Sequence, residues 1–183
     1  MDAREKAHEQ FLVLRCQAGD EEAFTRLFER YNPPLKYYLR RLLESPEAAD
    51  DVLQTVWLKA LRGVKRLRRL DAFRAWLYRI ARNEAFKQCR QDRRWAEVQE
   101  IAVDVNPGNE EEAFTEDDAA RVHAGLSELS PPHREVLTLR FLEDLTYDEI
   151  ASVVGCELGT IRSRIHYAKR ALRRILEESN DDG

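Results

Sequence analysis

The sequence predicts an all-α protein built as two small helical domains joined by a flexible acidic linker. Seven glycines and six prolines in 183 residues leave little turn material, and no long alternating Val/Ile/Thr run marks a strand. Apolar residues recur at helical spacing on both sides of a stretch holding Asn106-Pro107-Gly108-Asn109 and a run of acids. With 43% apolar and 35% charged side chains, the chain suffices for one to two compact domains.

The elements follow in order. Gly19-Asp20 precede a helix with Phe24, Leu27, Phe28 and Tyr31 on one face, which Pro33-Pro34 are expected to end. Leu35, Tyr38, Leu39 and Leu42 define a second helix. Ser45-Pro46 supply an N-cap and an N1 proline for a third, whose apolar stripe is Val52, Leu53, Val56, Trp57 and Ala60. Asp50, Asp51, Gln54 and Lys59 lie on its other face. Asp71 is expected to cap a fourth, with Phe73, Trp76, Leu77 and Ile80 inward, Phe86 a further inward candidate, and Arg74, Arg82, Lys87 and Arg90 outside.

From Trp95 to about Thr115 the chain has too little apolar surface to order itself and is expected to be a linker. A second helical unit is expected to resume near Glu116. Ser130-Pro131-Pro132 start a helix with apolar members Val136, Leu137, Leu139, Phe141 and Leu142. Thr146 to Glu149 form a capping box. Ile150, Ala151 and Val154 face a core, Gly155 permits a left-handed turn, and Leu158 anchors the basic helix that follows Gly159-Thr160. Helix, glycine turn and basic second helix form a helix-turn-helix. Arg162, Ser163, His166 and Tyr167 share its exposed face while Ile161, Ile165, Ala168 and Leu172 face inward. Such a helix fits the major groove: Arg162 suits two bonds to a guanine, and Lys169, Arg170, Arg173 and Arg174 suit phosphates.

The net charge of −4 conceals strong segregation. Arg62 to Arg94 carries 12 Lys/Arg against three acids, Glu97 to Asp118 nine acids and no base, and Gly159 to Arg174 six bases and no acid. Two dense basic blocks suit a polyanion, because each cation near a phosphate releases counterions. No apolar run approaches bilayer length, and the opening residues lack the pattern of a secretion signal, so a cytoplasmic protein without membrane insertion is expected. Cys16, Cys89 and Cys156 are too far apart for a disulfide framework or a zinc knuckle and are expected to be reduced thiols. No metal or cofactor is expected.

The segments Leu145 to Ala151 and Gly159 to Leu172 closely resemble region 4 of extracytoplasmic-function (ECF) sigma factors of the sigma-70 family. Gly19 to Phe24, Asp50 to Trp57 and Phe73 to Asn83 resemble their region 2. The resemblance implies domains at 8–94 (region 2) and 116–178 (region 4), with the linker at 95–115. It implies a non-enzymatic factor that binds RNA polymerase core enzyme, melts the minus-ten promoter element with region 2 and reads the minus-thirty-five element with region 4. Asp50, Asp51 and Gln54 would meet the clamp helices of the largest polymerase subunit; the flap is a further expected polymerase contact. Arg66, Arg68, Arg69, Arg74, Arg82, Asn83, Lys87 and Arg90 would hold the unpaired minus-ten strand. Thr160, Arg162, Ser163, Arg164, His166, Tyr167, Lys169, Arg170 and Arg173 would contact the minus-thirty-five element. Trp76 is expected to be core rather than a melting wedge. The linker acids Glu110, Glu111, Glu112, Glu116, Asp117 and Asp118 either occupy basic polymerase channels or form a self-repelling spacer. An anti-sigma factor is an expected partner.

Two other readings compete. A stand-alone helix-turn-helix regulator would need a dimerisation element, which the sequence does not offer. A helical metal hydrolase using Asp50, Asp51 and one of His8, His123, His133 or His166 would need ligand spacing that is absent.

Overall fold

A computed structural model describes residues 3–43, 45–91 and 125–181, and no strand occurs among them. They fall into two compact units, one of residues 3–91 with Ser152–Gly155 grouped alongside, the other of the remainder of 125–181. The expected linker, with its acidic run, and the start of the second unit at Glu116 lie outside the described residues.

The first unit contains α1 (Ala3–Gln17), α2 (Glu21–Leu42), α3 (Pro46–Gly63) and α4 (Phe73–Gln91). Helix α1 is unanticipated, because its buried stripe of Leu12, Val13 and Cys16 is narrow within a charged segment. It ends in a Schellman arrangement: Gly19 has φ +92°, its amide donates to the Cys16 carbonyl at 3.0 Å, and the Asp20 amide reaches the Arg15 carbonyl at 3.1 Å. Asp20 then caps α2, accepting from the Ala23 amide at 3.1 Å and from Arg15 Nε at 2.7 Å.

Pro33 and Pro34 do not end a helix. They lie inside α2, which joins the two helices expected on either side of them. Each proline removes a backbone donor, at about 3 kcal/mol in a helix interior. The helix persists because Leu27, Tyr31, Leu35, Tyr38 and Leu39 form a buried stripe across the prolines; each buried Leu returns about 1.5–3 kcal/mol.

Ser45 caps α3 through the Ala48 amide at 3.2 Å. The α3 stripe is buried as expected, and Trp57 packs between Phe24 and Phe28 with its indole N–H donating to Asn32 Oδ1 at 3.0 Å. Tyr31 donates its hydroxyl to the buried Glu9, tying α2 to α1. Asp71 does not cap α4. It sits in the 3-10 turn Leu70–Ala72 and takes the Arg69 guanidinium at 2.7 and 3.2 Å, and that bond holds its carboxyl below the usual range.

In the second unit a helical stretch at 125–128 precedes α5 (Pro131–Leu137), a π-helical turn (Thr138–Leu142), α6 (Tyr147–Val154) and α7 (Leu158–Asp181). Arg134 donates to the carbonyls of Leu126, Ser127 and Leu129 at 2.7–3.0 Å, satisfying acceptors left by the first stretch. Val136, Leu137 and Leu139 are buried, but Phe141 and Leu142 are not: the π turn rotates them outward to 44% and 39% exposure. The capping box is present, with the Thr146 amide 2.8 Å from Glu149 Oε2 and the Glu149 amide 3.3 Å from Thr146 Oγ1. Ile150 and Val154 are buried, Ala151 is half-buried, and Val153 joins the buried set. Gly155 has φ +78°, and the Cys156 amide reaches back to the Ala151 carbonyl at 3.3 Å.

Candidate nucleic-acid and polymerase interfaces

Helix α7 turns its cationic side outward because the opposite side is fixed. Ile161, Ile165, Ala168 and Leu172 are at most 2% exposed, placing Ser163, His166, Tyr167 and Arg170 on the outer face and Arg162 and Arg173 along one flank. Arg162, Arg170 and Arg173 are exposed; Thr160, Ser163, Arg164, His166 and Tyr167 are half-buried. His166 and Tyr167 make an edge contact at 5.5 Å, and Ser163 donates to the Thr160 carbonyl at 3.0 Å, which leaves its oxygen as an acceptor. Lys169 lies on the flank beside the π turn, its ammonium 5.4 Å from the Phe141 ring centre. One face therefore holds groups that can read base edges, with cations along its margins.

In the first unit the basic connection between α3 and α4 is held from a distant helix. Gln17 of α1 donates its side-chain amide to the carbonyls of Val64 and Leu67 at 3.0 and 2.7 Å. Arg66 and Arg68 extend from this connection and are exposed; Arg69 is exposed but paired with Asp71, and Arg74 is half-buried. On α4, Asn83 and Lys87 are exposed and Arg82 is half-buried; the Arg90 side chain lies outside the described set. Exposed Arg79 shares the face of Asn83 and Lys87 at i, i+4, i+8 spacing. The sequence reading missed Arg79, although its distance of four from Asn83 carried the signal. Phe86 is half-buried rather than core. Trp76 is also half-buried, packed beside Phe73 and against Gly63, where a Cβ would lie 2.8 Å from the indole. Glu84 points the other way and pairs with Lys59 of α3.

The three acidic-face residues of α3 separate. Asp51 and Gln54 are exposed, whereas Asp50 turns to α2 and lies 2.8 and 3.0 Å from the Lys36 ammonium through its two oxygens. That bond holds the Asp50 carboxyl below its ordinary range. Leu58 and Leu61, 54% and 52% exposed, continue the face of Asp51 and Gln54 along one side of α3. Exposed leucines there were not anticipated from sequence.

Residues 27–95 match the Sigma-70 region 2 family and residues 125–174 match the Sigma-70, region 4 family. The RNA polymerase sigma-H factor of Pseudomonas aeruginosa is 33% identical over 183 residues, spanning 92% of this chain and 94% of the relative. The ECF RNA polymerase sigma-E factor of Escherichia coli K12 is 34% identical over 182 residues, with the same coverage. The chain is an ECF sigma factor of the sigma-70 family.

Promoter-specific initiation of transcription with RNA polymerase is thus the activity of this sigma factor, ahead of the stand-alone regulator. Its fold matches that of CnrH, solved with the cytosolic domain of CnrY, at TM-score 0.67 and 23% identity over 93% of this chain and 97% of that one. It also matches the sigma factor RpoE, co-crystallised with the anti-sigma factor NepR from Bartonella quintana, at TM-score 0.62 and 25% identity over 84% and 96%. Among the described residues of the sigma factor, no helix is long and apolar enough to cross a membrane.

Proposed function

We propose that this sigma factor divides promoter recognition between its two units, with domain bounds at 8–94 and 116–178. The first unit docks on core polymerase and holds the minus-ten element as it melts; the second reads the minus-thirty-five element. The observation that carries this reading is the fixed polarity of α7, whose buried Ile161, Ile165, Ala168 and Leu172 commit Ser163, His166, Tyr167 and Arg170 to solvent on the second helix of a helix-turn-helix.

Asp51 and Gln54 suit basic and amide partners on the clamp helices of the largest subunit, and exposed Leu58 and Leu61 add apolar area along that face. Asp50 contributes by fixing α3 on α2 through Lys36. Arg66, Arg68, Arg79, Arg82, Asn83 and Lys87 track the phosphates of the unpaired strand. Arg162 reads a base edge, while Lys169, Arg170 and Arg173 meet phosphates. The protein works in the cytoplasm and performs no catalysis of its own. The co-crystal with NepR supports an anti-sigma factor as third partner of this chain.

Footprinting on a promoter with and without core polymerase tests the reading. Protection of both elements only in the presence of core enzyme is expected; protection of a palindrome by the protein alone would overturn it.

A further inference from the structure

We propose that Phe86 is a positioning residue that holds the Arg82 guanidinium in place for the unpaired minus-ten strand. The inference rests on the assignment of this α4 face to the minus-ten element. The Arg82 Cζ lies 4.2 Å from the centre of the Phe86 ring, well inside the reach of about 6 Å over which a ring face attracts a cation. The two side chains are one turn apart on α4, the spacing at which helical neighbours meet. Both are half-buried, between the buried side of α4 (Leu77, Tyr78, Ala81, Ala85, Cys89) and exposed Arg79, Asn83 and Lys87.

That position gives the ring two effects. Exposed Arg79 lies three residues before Arg82 on the same helix, at neighbour spacing, and the negative face of an aromatic ring offsets part of the repulsion between the two cations. An unrestrained arginine must also lose rotamer freedom when it grips DNA, and one already laid over a ring has less to lose. With Arg82 over it, the Phe86 ring is not offered as an open platform for a base; its effect on DNA passes through the arginine.

The test is a double-mutant cycle on holoenzyme reconstituted with purified core polymerase, reading the Kd for a fork-junction DNA whose non-template minus-ten strand is unpaired. Arg82→Ala is expected to weaken binding about tenfold and to lower the salt slope by about one. Phe86→Leu and Phe86→Met are expected to weaken it about threefold with the salt slope unchanged. Phe86→Tyr, which keeps the ring, is expected to stay within about twofold of wild type. Phe86→Leu added to Arg82→Ala is expected to cost almost nothing more, because the residue it positions is gone.

Additive losses, failure of Phe86→Tyr to retain binding, or a silent Phe86→Leu beside a damaging Arg82→Ala would overturn the positioning role and leave the minus-ten assignment standing. A silent Arg82→Ala would remove the assignment and the inference together. If Phe86→Leu and Phe86→Met both abolish core binding or unfold the unit, the ring is packing material and the inference fails.

Discussion

The side-chain amide of Gln17, at the end of α1, donates to the Leu67 carbonyl at 2.7 Å and also to that of Val64, across about fifty residues of sequence. A helix unsupported by any motif thereby sets the path of the connection that carries Arg66 and Arg68. Gln17→Leu strips the part-buried Leu67 carbonyl of its side-chain donor and leaves the Val64 carbonyl with only the Leu67 amide, at about 1–3 kcal/mol for the unsatisfied acceptor. Denaturant unfolding should report that loss. The holoenzyme should bind fork-junction DNA more weakly while its affinity for core enzyme is retained.

Asp50 and Lys36 give the first unit an acid-labile tie. The Asp50 carboxyl is held below its ordinary range by the Lys36 ammonium, and Asp20 is lowered by the Ala23 amide and then by Arg15. A lowered carboxyl pKa contributes stability that is fully present above the unfolded value. It is lost as pH falls through the lower folded value. The contribution of these two carboxylates to the melting of the first unit should therefore be level from neutral pH down to about pH 5 and fall below about pH 4. Asp50→Asn should start lower at neutral pH and show a shallower acid decline. An identical slope for variant and wild type would dissociate this pair from the acid response.

Arg162 and Lys169 lie two turns apart along one flank of α7, Arg162 nearer the N-terminal end that meets base edges, and their losses should differ in kind. Arg162→Ala should cost about 1–3 kcal/mol and relax preference at one base position. Lys169→Ala should weaken all promoters alike and reduce the salt slope by about one. Binding to a randomised minus-thirty-five library separates the two, and uniform losses for both would contradict the division.

The turn of the helix-turn-helix depends on Gly155, whose φ of +78° no side chain adopts cheaply. Nothing crowds a Cβ there, so the cost of Gly155→Ala is conformational, about 1–2 kcal/mol. Calorimetry of the full chain should show that destabilisation.

Much of this was legible in the sequence. The Gly155 turn, the Ser45 cap, the Thr146 capping box and the inward set of α7 are local rules, set by residues within a few positions of each other, and the structure follows them. The misreadings have two causes: tertiary burial outvoted local preference in α2, and unforeseen local pairing or helix phase did so elsewhere. Pro33 and Pro34 break helices in isolation, but a continuous stripe of buried leucines and tyrosines carries α2 through them. Asp71 has the chemistry of a cap, but Arg69 claims it. Phe141 and Leu142 have the composition of core, but an extra residue in the π turn shifts their phase. The candidate DNA residues were found through basic density, the helix-turn-helix pattern and the family resemblance, all of which sequence displays directly, although Arg79 was passed over. Gln17, Leu58 and Leu61 escaped because their roles arise from distant contacts or from exposure.

The most direct test is run-off transcription with purified core polymerase on a library of genomic promoters, comparing wild type with Asp51→Ala/Gln54→Ala and with Arg162→Ala. The account predicts discrete start sites with wild type, general loss of initiation with the α3 pair, and a changed choice of promoters with Arg162→Ala. Absence of any defined start site with the wild-type protein would contradict it.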